Sequence, residues 1–86
     1  MYIVRGLERI EEWLAHESDR AARRAMSNWM TAALSGPREV ARGVLQRKGR
    51  RRNLYYASIP GTGALVSYVV LDTPVRVIVV VSVLSL

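Results

Sequence analysis

The sequence predicts an α+β domain in which an N-terminal helical hairpin packs on a three- to four-stranded antiparallel sheet. Three observations predict it. Apolar residues recur at helical spacing through residues 3–35, and short apolar runs bounded by Gly, Pro and Asp fill residues 53–84. Between them lies a basic segment, residues 37–52, that has little to bury. Eighty-six residues make one domain. A chain of that size buries about 60 % of its unfolded surface, so each large side chain weighs heavily in its stability.

In the first helix Ile3, Leu7, Ile10 and Leu14 form one stripe with Trp13 beside them, while Glu8, Glu11, Glu12 and Glu17 occupy the other faces. Gly6 weakens its early part, which leaves Tyr2–Arg5 open to a second reading as a short edge strand. His16-Glu17-Ser18 breaks the pattern, and Ser18 or Asp19 is suited to cap the next helix. There Ala22, Met26, Trp29, Met30, Ala33 and Leu34 form the inward stripe, and Ser35-Gly36-Pro37 ends it. The short connection makes the two helices antiparallel neighbours.

Arg38–Gln46 carries Val40, Val44 and Leu45 at a spacing that suits a helical turn. Three strands follow: Asn53–Ile59, Ala64–Leu71 and Val75–Leu84, joined by turns at Pro60-Gly61-Thr62-Gly63 and Asp72-Thr73-Pro74. The last strand is apolar on both faces, so it is either covered on both sides or offers one face to another chain. With a single helical hairpin available as cover, an open sheet face is expected.

From Pro37 to Leu54 seven cations (Arg38, Arg42, Arg47, Lys48, Arg50, Arg51, Arg52) face the single acid Glu39, which accounts for the whole net charge of +6. The flanking regions are each neutral. Charge concentrated this way suits phosphates, and all but one of the thirteen cations are Arg, the side chain that contacts phosphate bidentately. Five cations within residues 47–52 repel one another unless an anion binds them; the plainer reading is a solvated loop.

Several chemistries are excluded or disfavoured. With no Cys there is no disulfide or thiolate metal site, and a lone His16 rules out a multi-histidine centre. No metal and no cofactor are therefore expected. Glu12 and His16 read as a surface pair or a helix-end dipole partner. Gly61-Thr62-Gly63 lacks the third Gly and the Lys of a phosphate loop and reads as a hairpin turn. Val75–Leu86 falls short of the roughly 20 residues that span a bilayer. Neither a membrane anchor nor a signal peptide is read in the chain, and a cytoplasmic location is expected.

The order helix, helix, basic loop, three strands resembles the RelE/ParE superfamily of toxins from bacterial type II toxin–antitoxin systems. The resemblance is carried by Leu7-Glu8-Arg9-Ile10-Glu11-Glu12-Trp13-Leu14-Ala15, Ala21-Ala22-Arg23-Arg24-Ala25 and Leu34-Ser35-Gly36-Pro37. It continues in the meander Gly63–Asp72 running into Val75–Val83. It implies a toxin that binds the ribosome and promotes mRNA cleavage, with an acidic antitoxin protein as partner. DNA gyrase is the target implied by the superfamily's other branch. A plain basic nucleic-acid-binding module is the reading outside the family.

The mRNA-cleaving members place cations where this chain has Tyr55, Tyr56, Ala57 and Ser58, an Arg where it has Ala64 and Leu65, and an Arg, His or Tyr where it reads Ser85-Leu86. On this reading Arg47, Lys48, Arg50, Arg51, Arg52 and Tyr55 hold RNA, and Tyr56, Lys48 and Arg76 are the candidate proton handlers. Tyr55 and Tyr56 point to opposite sheet faces, so only one of them faces nucleic acid. An exposed Tyr beside Arg stacks on a base or assists proton transfer; the plainer reading is two sheet aromatics.

Overall fold

The computed structural model describes residues 1–45 and 54–85, except the side chain of Leu45. The elements are β1 (Ile3–Arg5), α1 (Leu7–His16), α2 (Arg20–Ser35), β2 (Gly43–Leu45), β3 (Leu54–Ile59), β4 (Ala64–Leu71) and β5 (Val77–Ser85). Five strands form one mixed sheet in the order β1-β5-β4-β3-β2. The two helices lie on one face of it. The α+β class and the helical hairpin agree with the sequence expectation; the sheet differs in strand number and in orientation.

The added strands lie at the two edges. At one edge β1 runs parallel to β5, with Ile3 opposite Val77 and Arg5 opposite Val79. The i, i+4 spacing of Ile3 and Leu7 suggests one helix, but Ile3 is 56 % exposed and belongs to the sheet. Gly6 makes the break. Its φ of +78° turns the chain sharply into α1, and a Cβ there would stand 2.5 Å from the Val80 carbonyl oxygen. At the other edge β2 pairs antiparallel with β3. The anticipated helical turn is confined to Pro37–Val40, where the Val40 N–H bonds the Gly36 carbonyl at 3.2 Å. Val44 and Leu45 lie beyond it in β2, opposite Tyr55 and Leu54.

The helix-facing side of the sheet holds the core. Ile10 and Trp13 of α1 and Ala22, Met26, Met30 and Ala33 of α2 pack with Ala57, Ile59, Ala64, Val66, Tyr68, Val70, Ile78 and Val80. Asp19 caps α2, its carboxylate accepting from the Ala21 N–H at 3.0 Å. The Trp13 indole donates to Ser85 Oγ at 3.1 Å, tying α1 to the end of β5. Between Ser67 and Tyr68 the β4–β5 register slips: Ser67 faces Ser82 and Tyr68 faces Val80, so Val81 is the extra residue of a bulge.

Strict alternation along β4 puts Leu65, Ser67, Val69 and Leu71 on the opposite face. Ile3, Val79 and Leu84 join them through the register. Among the described residues no helix covers this face. It is the open apolar face expected from the count of helices.

Candidate nucleic-acid interface

Strand directions decide what gathers at each end of the sheet. The starts of β1, β3 and β5 and the ends of β2 and β4 all lie at one end. Both anchors of the basic segment, Leu45 and Leu54, are therefore there, facing each other across the β2–β3 ladder. Tyr2, Tyr55, Asp72 and Arg76 adjoin those same strand ends. Arg47, Lys48, Arg50, Arg51 and Arg52 lie outside the described residues, and so does the chemistry assigned to them.

At this end Arg38 and Asp72 form an ion pair, with Nη2 2.6 Å from Oδ2 and Nη1 3.5 Å from Oδ1. Arg38 Nε donates to the Tyr55 hydroxyl at 3.0 Å. The Tyr2 hydroxyl donates to Asp72 Oδ1. Arg76 lies over the Tyr2 ring, 5.9 Å from its centroid. Arg38 and Asp72 both keep nearly half of their side-chain surface in solvent (44 % and 46 %), so the cluster is open to an incoming ligand.

Its electrostatics follow from these contacts. The hydrogen bond from Arg38 holds the Asp72 carboxyl below its usual range, and Tyr2 adds to the effect. The same carboxylate raises the Arg38 pKa further still, so the guanidinium is permanently charged. Tyr68 lies behind the cluster with no exposed surface, its hydroxyl donating to the Pro37 carbonyl oxygen at 2.6 Å. Burial pushes its hydroxyl up to about 12, with the neighbouring Tyr55 a smaller cause. Tyr55 stacks on Tyr68 at 5.9 Å and 22°, and Trp29 meets Tyr68 edge-on at 5.5 Å. A rigid aromatic layer thus supports the charged residues from the helix side.

The candidate site residues divide between two faces. Tyr55 is half-buried on the helix side, with its ring against Tyr68 and its hydroxyl taken by Arg38. Tyr56 is 40 % exposed on the open face, beside Gly43. A Cβ on Gly43 would fall 2.5 Å from Tyr56 Cζ, so the glycine makes room for the ring to lie across β2. Arg76 joins the cluster through the Tyr2 ring. His16 does what the helix-end reading expects: its Nδ1 lies 2.9 Å from the Glu12 carbonyl oxygen, within reach to donate. Among the described residues no group of three or more His, Cys, Asp or Glu is placed to hold a metal.

Sequence reasoning passed over Tyr2, Arg38 and Asp72 as a unit. One signal was available: Asp72 is the only carboxylate after Glu39, in a stretch that otherwise carries only cations. Comparison with family models, with curated proteins and with solved structures finds no match for this chain.

Proposed function

We propose that this protein is a growth-inhibiting toxin of RelE/ParE type, paired with an acidic antitoxin, that grips ribosome-bound mRNA and promotes its cleavage. The observation that carries the reading is that Arg38 and Arg76 stand at the end of the sheet where the basic segment is anchored. The β2–β3 connection supplies five cations in six residues, and its anchors stand at the same end as Arg38 and Arg76. The element order supports the reading too, because the chain opens on a strand before the helical hairpin, as members of that superfamily do.

In such cleavage the ribose 2′-hydroxyl attacks the adjacent phosphorus and the 5′ oxygen of the next nucleotide leaves. The protein must accept one proton, stabilise the extra charge on the phosphorus oxygens and return a proton to the leaving group. The arginines of the basic segment supply the charge. Of the candidate proton handlers Tyr56, Lys48 and Arg76, this reading gives the exchange to Tyr56, which is exposed on the open face.

A second reading has its own support. The cluster of Arg38, Asp72, Tyr2 and Tyr55 holds no histidine, the side chain that most readily exchanges protons near neutral pH. That favours a toxin that acts by binding alone, with DNA gyrase as its target.

Induced expression in growing bacteria, with pulse labelling of protein and DNA synthesis, separates the two. The first reading expects protein synthesis to stop first, with plasmid supercoiling intact. Loss of supercoiling before protein synthesis falls would move the assignment to gyrase. Growth unaffected by the chain would refute both.

A further inference from the structure

We infer that the Arg38–Asp72 pair with Tyr2, Tyr55 and Arg76 is a phosphate subsite, occupied in the free protein by the chain's own Asp72 carboxylate. The inference deepens the nucleic-acid reading by naming a phosphate contact made by described residues outside the basic segment. The geometry is that of anion recognition. One guanidinium presents Nη1 and Nη2 to the two oxygens of a single carboxylate, a tyrosine hydroxyl donates to the same group, and a second guanidinium lies over that tyrosine ring. A phosphodiester offers two non-bridging oxygens in a closely similar arrangement.

The charge and donor counts point the same way. The cluster holds two guanidiniums and one carboxylate, which leaves it one positive charge in excess. Toward Arg38 the Tyr55 hydroxyl acts only as acceptor, so its own proton remains to be given to an incoming oxygen. Nearly half of each member of the ion pair is open to water, so a phosphate reaches Arg38 without unfolding anything. The tyrosine layer behind it keeps the guanidinium in place when Asp72 swings away. An RNA strand held by the basic segment brings a neighbouring phosphate to this end of the sheet at high local concentration. Displacement of Asp72 then becomes an exchange of one anion for another.

The test uses the full chain and a short fluorescent single-stranded oligoribonucleotide, with affinity read by anisotropy over a salt series. Asp72→Asn exposes Arg38 and should tighten binding about 3- to 10-fold, with a salt slope steeper by roughly one phosphate contact. Glu39→Gln adds the same charge without uncovering Arg38 and should have a much smaller effect. Adding Arg38→Ala to Asp72→Asn should abolish the gain. Equal gains from Asp72→Asn and Glu39→Gln, or no gain in a folded Asp72→Asn protein, would overturn the subsite and leave the pair a structural clamp.

Titration with inorganic phosphate, followed at the Arg38 Nε–H resonance, separates this inference from the RNA reading. A shift in the wild type, larger in Asp72→Asn, supports the subsite even where no RNA binds. No shift at saturating phosphate in the wild type refutes it, whether or not the Asp72 variant folds.

Discussion

Three residues carry consequences that measurement can reach directly. Gly6 combines a φ of +78° with a carbonyl oxygen 2.5 Å from where a Cβ would sit, so Gly6→Ala should cost about 1–3 kcal/mol in urea unfolding. Tyr68→Phe removes the buried hydroxyl bonded to Pro37 and should cost about 1–2 kcal/mol by the same method. Tyr68 also gives the fold an alkaline limit. Its hydroxyl titrates at about 12 in the folded protein and near 10 in the unfolded chain, so the unfolded chain releases its proton first. The contribution is whole below about pH 10 and is lost as pH rises toward 12, by as much as about 2 kcal/mol. Urea midpoints taken across that range should fall in the wild type and fall less in Tyr68→Phe.

Asp72 acts in the other direction. Its carboxyl is held low, so its contribution is present above the usual carboxylate range and is lost as pH falls through that range. Asp72→Asn should therefore flatten the acid side of the stability profile.

Among the elements, the helices and the last three strands were legible because helical spacing marks the former and apolar runs bounded by turn residues mark the latter. Ala22, Met26, Met30 and Ala33 recur at helical spacing, and all are buried. β4 alternates buried and half-buried side chains over its whole length. β1 and β2 were harder to read for a physical reason. Each pairs over only three residues, too few for a period to declare itself, and β1 is held by β5 at the far end of the chain. The candidate cluster was hidden for the same reason. Arg38 lies 17 residues from Tyr55 and 34 from Asp72, and only the tertiary fold brings them together. By contrast, the opposite orientations of Tyr55 and Tyr56 followed from strand geometry alone.

β5 is the element on which both β1 and β4 depend. Its amides opposite Ile3–Arg5 should exchange slowly with solvent deuterium, and Val4→Pro, which disturbs β1, should speed that exchange.

At the scale of the whole molecule, the two faces of the sheet differ. The helices screen one sheet face, and the opposite face is apolar and uncovered among the described residues. The sequence between β2 and β3 carries five of the cations, and its anchors Leu45 and Leu54 stand at the end of the sheet where Arg38 and Arg76 lie. Replacing Arg50, Arg51 and Arg52 together by Glu should weaken RNA and DNA binding alike and flatten its dependence on salt. An unchanged salt slope would place the binding surface elsewhere.

The most direct test of the account adds the purified chain to a bacterial translation reaction and maps mRNA ends by primer extension. The Arg50→Ala/Arg51→Ala/Arg52→Ala variant runs beside it. The account predicts new ends inside translated codons with the wild type and none with the variant. Intact mRNA with normal protein output would contradict it.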